Sequence, residues 1–168
     1  MNSSAHTGAR SILARPLTSE SFAPYGEVIE HAGSERRHFV ASAFDHSRQV
    51  SANRLWVSQV DAQGQSPLLI STLERHPYSA QTFIPLTHTS YLVVVSPSLV
   101  DGQPDAYALE AFIASPAQGV CYGRGVWHHG LTVLQAPAQF AVFMGMTEHG
   151  NDQFLDLPVS SQVLVHYA

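Results

Sequence analysis

Residues 110–144 read EAFIASPAQGVCYGRGVWHHGLTVLQAPAQFAVFM, and they decide the fold class. Residues 110–113, 119–122 and 138–144 are short β-rich runs, separated by Ser, Pro and Gly at the spacing of a β-barrel or sandwich. Between the last two runs lies GRGVWHHG, residues 123–130, with two adjacent histidines. Neighbouring side chains on a strand point to opposite faces, so only one of His128 and His129 easily faces a barrel interior.

Outward from this stretch the pattern persists. Residues 54–60, 68–74, 82–85 and 91–95 are further β-rich runs bounded by Gly, Pro, Asp and Ser. Phe83, Ile84, Val93 and Phe112 are the expected core. Thr18 is the expected N-cap of a short helix, closed by Pro24 and Gly26 ahead of a strand over 27–30. PDAYAL, residues 104–109, suits one helical turn, and the polar, basic stretch 34–48 suits a loop at a barrel mouth. Residues 1–11 read as a flexible leader and 12–168 as a single domain. The expected chain is mainly β with a few short helices.

Composition narrows the function. Charged residues make up 12% of the chain, about half the usual share, which favours a turn-rich β fold with surface buried in an oligomer. The net charge is -5 and the eight basic residues are scattered, so no basic stripe exists to bind nucleic acid. All of them are arginines. Without a lysine, neither a Schiff base to pyridoxal phosphate or a carbonyl substrate nor a P-loop can form, so no nucleotide or PLP cofactor is expected. Cys121 stands alone, which suits a reducing compartment. The first residues lack the apolar core of a secretory signal, and the run at 91–95 is too short to span a bilayer, so the expectation is a cytoplasmic protein with no membrane partner.

LERHPYSAQTFIPL, residues 73–86, holds a further histidine. Alternation places Glu74 and His76 on one face and Arg75 on the other, until Pro77 interrupts the strand. Gln81, Phe83 and Pro85 share a face. His76 and Gln81 converge only if a turn or bulge over 77–80 resets the register. The spacing resembles the first metal motif of the cupins, with Gln81 where that motif carries an acid. Gly125-Val126-Trp127-His128 matches the glycine and histidine that end the second cupin motif. By that resemblance His128 faces inward, while Trp127 and His129 face the other way or lie at the rim.

Taken together, LERHPYSAQTFIPL, YLVVVSP at 91–97 and GVCYGRGVWHHG at 119–130 resemble the ureidoglycolate lyase family, and PLTSESFAPYGEVIE at 16–30 fits its opening. The resemblance covers roughly residues 12–145. It implies a cupin-like, jelly-roll type β-barrel, a homodimer, and cleavage of ureidoglycolate to glyoxylate and urea in allantoin and purine degradation. It also implies a divalent metal, nickel in some members. Family positions that differ here are Ala80, Cys121 and Gly130, where serine, asparagine and proline are common, and the segment after Phe143, which lacks an Asp-Arg pair. These departures indicate a divergent branch.

The implied chemistry needs a base for the substrate hydroxyl, an acid for the leaving nitrogen and a cation for the carboxylate. His76, His128 and Glu74 can supply base, acid or metal ligand, and Arg75 or Arg124 can hold a carboxylate bidentately. Gln81 and Trp127 complete the candidate substrate contacts. His76, Gln81 and His128 are the candidate ligands of a nickel or zinc ion, and they serve equally as a metal-free acid-base set. Plainer readings stand beside these: Glu74 as half of a rim ion pair, Arg124 as a solvated turn residue and Trp127 as packing. Two other functions fit the same residues, an amidohydrolase releasing ammonia and carbon dioxide, and a non-catalytic cupin binding a small acid or sugar.

Overall fold

The computed structural model describes residues 9–168. The chain runs through β1 (Arg10–Leu13), β2 (Arg15–Pro16), α1 (Ser19–Phe22), β3 (Gly26–Ile29), β4 (Ala52–Val60), β5 (Leu68–Ile70) and β6 (Thr72–Arg75). It continues through β7 (Gln81–Pro85), β8 (Tyr91–Ser96), β9 (Glu110–Ala114), β10 (Gly119–Tyr122) and β11 (Trp127–His128). The last strands are β12 (Thr132–Val133), β13 (Ala138–Met146), β14 (Gln153–Asp156) and β15 (Val163–His166). Single 3-10 turns occupy Ala106–Ala108, within the stretch expected to be helical, and Val159–Ser161. Thr18 caps α1 as expected, its Oγ1 accepting from the Ser21 amide at 3.1 Å.

Strand order is β3-β10-β7-β13-β4 in a five-stranded sheet, β14-β6-β11-β8-β9-β2 with β12 alongside β8 in a seven-stranded sheet, and β1-β15-β5 in a three-stranded sheet. The fold is thus mainly β and cupin-like, but among the described residues the sheets stack without closing into a hydrogen-bonded ring. The seven-stranded sheet is the middle layer. Tyr91, Val93 and Val95 of β8 pack with Phe112, Phe140 and Val142 in a core toward the five-stranded sheet. Leu92 and Val94 pack with Ile70, Trp127 and Val163 in a second core toward the three-stranded sheet. A strand covered on both faces needs apolar residues at every position, which is why β8 is an unbroken apolar run. Each large side chain so buried contributes about 1.5–3 kcal/mol.

Three expectations need correction. The fold begins earlier than Ile12, because Arg10 and Ser11 already pair in parallel with Val163 and Leu164; the rest of the expected leader, residues 1–8, lies outside the described residues. The run 68–74 is two strands, since the chain changes sheet at Ser71: β5 joins β15 and β6 joins β11 and β14. Ile84 is not core but 43% exposed, because Phe83 takes the inward position and period-two alternation sends its neighbour out.

Gly26 shows how closely neighbouring strands of the five-stranded sheet approach. At its φ of +150° an added Cβ would lie 1.9 Å from the carbonyl oxygen of Cys121 on the paired strand, so only glycine fits.

Candidate active site

The seven-stranded sheet supplies one wall of the site. His128 of β11 stands directly opposite Glu74 of β6, and opposed residues of an antiparallel pair share a face. His76 follows β6 on that face and is pinned by its own carbonyl, which accepts from the Gly125 amide at 2.9 Å. The five-stranded sheet supplies the other wall. The turn after Pro77 carries the chain between sheets, so Gln81 opens β7 facing His76 rather than continuing its strand, with Nε2 of His128 3.2 Å from Oε1 of Gln81. Tyr122, the partner of Gln81 on β10, lies flat against the His128 ring at 4.1 Å between centroids.

The paired histidines separate by parity. His128 is 1% exposed and faces this site, whereas Nδ1 of His129 donates to the Thr72 carbonyl at 3.3 Å on the opposite side of the sheet.

The hydrogen bonds define the tautomers. Nδ1–H of His128 donates to the Val126 carbonyl at 2.9 Å. Nδ1–H of His76 faces the Asn151 carbonyl at 3.1 Å and Oδ1 of Asp152 at 3.0 Å. Both Nε2 atoms are thereby left with lone pairs, and that of His76 is buried with no partner among the described residues. Ligand atoms of Glu74, His76 and His128 all lie within 4.8 Å of one another. Two imidazole lone pairs, a carboxylate and the Gln81 carbonyl therefore converge without a donor among them. A proton on Nε2 of His128 satisfies one side of this cluster; a divalent cation satisfies His76 as well. Imidazoles held by Nδ1–H bonds to a carbonyl and a carboxylate are the usual supporting arrangement of metal ligands. The residues fit a metal, and Glu74, offered from the sequence as base, acid or ligand, stands beside His76, Gln81 and His128 in the ligand set.

Local electrostatics agree. Burial, with the neighbouring His128, holds His76 below the ordinary imidazole range and so keeps it neutral. Burial pushes the Glu74 carboxyl up, but its imidazole neighbours, His128 foremost and then His76 and His129, more than offset it and hold Glu74 below the ordinary carboxylate range.

Other candidates lie elsewhere. Arg75 points to the back of the sheet, where it donates to Gln153 at 2.8 Å and to the Gly102 carbonyl at 2.9 Å and lies 4.5 Å over the Trp127 ring. Trp127 is buried in the second core and donates to the same carbonyl. Arg124 is an exposed turn residue. The cluster instead opens into a cavity of about 630 Å³ whose lining includes Arg54, Trp56, Glu74, His76, Gln81 and Met144. A second cavity, of about 440 Å³, shares the 147–152 loop but none of Glu74, His76 and His128.

Sequence reasoning missed Asn151, Asp152, Tyr122 and Arg54. Asn151 is 2% exposed; its Nδ2 donates to Ser79 and to the Gly145 carbonyl, each at 2.8 Å, and its Oδ1 accepts from the Tyr78 amide at 2.9 Å. It ties the loop to the turn after His76 from 75 residues away, a distance no local pattern spans. Arg54 was detectable only through register.

A family model described as ureidoglycolate lyase matches residues 9–163. The chain is 42% identical over 146 residues to a protein of Agrobacterium fabrum, covering 87% of this chain and 90% of that one. It is 35% identical over 166 residues to a ureidoglycolate lyase of Pseudomonas savastanoi pv. phaseolicola, covering 93% and 95%. It is 38% identical over 142 residues to a ureidoglycolate lyase of Mesorhizobium japonicum, covering 78% and 83%. With a family match across nearly all the described residues and relatives of this similarity, the chain belongs to the ureidoglycolate lyase family.

Proposed function

We propose that this protein cleaves ureidoglycolate to glyoxylate and urea, a step of allantoin and purine breakdown. The observation that carries the reading is the convergence of Glu74, His76 and His128 at the head of an open cavity, in a chain of this family. Cleavage removes the proton of the substrate hydroxyl, forms a carbonyl at that carbon and breaks its bond to nitrogen, which leaves with a proton as urea. Glu74, ionised, accepts the hydroxyl proton. Nε2 of His128, 3.5 Å from Oε1 of Glu74, receives it and returns it to the departing nitrogen. No covalent nucleophile is needed.

In place of that proton shuttle, since Nε2 of His128 cannot both bind a cation and carry a proton, Glu74, His76 and His128, with the Gln81 carbonyl, would hold a divalent ion, nickel or zinc by donor type, which would supply Lewis acidity at the substrate hydroxyl. A homodimer is part of the proposal: Leu55, Val57 and Ile84, 43% to 72% exposed, lie on strands of one sheet, and β4 leaves that sheet an open edge. So is a cytoplasmic setting, which suits the single buried Cys121.

The test is to incubate metal-supplemented protein with racemic ureidoglycolate, subtract spontaneous decay and quantify glyoxylate, urea and ammonia together. Equimolar glyoxylate and urea are expected. Ammonia in place of urea would select amide hydrolysis, and no enhancement over background would remove the catalytic reading.

A further inference from the structure

We propose that Arg54 is the cation that holds the substrate's carboxylate. The identity of that substrate rests on the lyase reading above; the identity of the residue rests on the register of the five-stranded sheet. Met144 of β13 is the Cα partner of Arg54 on one side and of Gln81 on the other, and Gln81 is the partner of Tyr122. Opposed residues of antiparallel pairs share a face, so Arg54, Met144, Gln81 and Tyr122 form one row across the inner surface. One end of the row touches His128. The other end, Arg54, lies at the open edge of the sheet and lines the cavity. Gln81 and Arg54 are two strands apart, roughly 10 Å, an interval that a small hydroxy acid and the reach of an arginine together close.

Charge singles out the same residue. Glu74, Glu148 and Asp152 line this cavity, and Arg54 is the one lysine or arginine among its described lining residues. An anionic substrate therefore meets an acidic wall with a single fixed positive charge. The ion pairs among the described residues are Arg15 with Glu110, His76 with Asp152 and His128 with Glu74, so no carboxylate among those residues engages the Arg54 guanidinium. Its planar fork matches a carboxylate bidentately.

The test titrates glycolate and its neutral amide, glycolamide, into the metal-loaded wild type, Arg54→Met and Arg54→Lys, with turnover of ureidoglycolate measured in parallel. Arg54 is exposed on an edge strand, so both variants should fold, which thermal melting verifies. The wild type is expected to prefer glycolate. Arg54→Met should lose that preference, binding glycolate roughly ten- to hundred-fold more weakly with glycolamide unchanged, and Arg54→Lys should retain part of it. KM for ureidoglycolate should rise by a similar factor with kcat nearly constant. A wild type without the preference, or a preference that survives in Arg54→Met, would overturn the assignment. An Arg54-dependent preference in a wild type that leaves ureidoglycolate intact would uphold the anchor and remove the lyase reading instead.

Discussion

Replacing Gln81 by glutamate tests whether the site is built for a cation without relying on catalysis. Oε1 of Gln81 and Oε1 of Glu74 lie 3.2 Å and 3.5 Å from the same nitrogen of His128, so the oxygens are no more than about 7 Å apart. Two negative charges at that separation repel by about 2 kcal/mol at an effective dielectric constant near 20. In a domain of this size that corresponds to a melting temperature lower by roughly 4–8 °C. The measurement is thermal unfolding of metal-stripped Gln81→Glu and wild type at pH 8, where imidazoles are ordinarily neutral and cannot offset the new charge. Saturating nickel or zinc should then stabilise the variant more than the wild type and close or reverse the gap, because ligand binding adds stability by mass action and the variant offers a second carboxylate. Equal melting of the two stripped proteins would refute the convergence of positions 74 and 81. A penalty that persists in saturating metal would refute the shared cation.

His128→Asn retains a donor for the Val126 carbonyl but removes Nε2 from the cluster; turnover should fall by about 10²–10⁴-fold, measured as glyoxylate release. Asn151→Ala leaves the Tyr78 amide and the Gly145 carbonyl without that side chain, and denaturant unfolding should show a loss of about 2–4 kcal/mol. His76 and His129 are both held below the ordinary imidazole range, chiefly by burial. The unfolded chain therefore takes up protons first as pH falls, so metal-free protein should lose stability from about pH 6.5 downward. His129→Gln should flatten part of that slope while leaving turnover in place, since His129 faces away from the cavity.

The strands were legible where one strong signal governs a run. Residues 119–122 formed as expected because glycine and the aromatic residue that bound them mark the ends of a buried apolar segment. The layering was not legible, because an unbroken run such as 91–95 fits any strand covered on both faces and does not say by what. The inward face of the site could be read from parity: Glu74 and His76 on one side, Arg75 on the other, and His128 opposed to His129. The carboxylate of the cluster was harder to assign. A motif comparison places the acid at position 81, which is glutamine and lies on the facing sheet, whereas the strand pairing of Glu74 with His128 puts a carboxylate beside the imidazoles within their own sheet. Pairing of that kind is a long-range property. Arg54 and Asn151 escaped for the same reason, each acting across a distance that only the folded chain closes.

The two-residue strand β11 gives the cavity a hidden dependence. Trp127 plugs the rear core while the next residue, His128, faces the reactive cluster, so a repacking around Ile70, Leu157 or Val163 turns the same short strand that aims the imidazole. A directed-evolution library confined to cavity positions would leave half of the control over that aim unsampled. Substitutions behind the sheet, in contact with no substrate, are where fine adjustment of this catalyst can be sought.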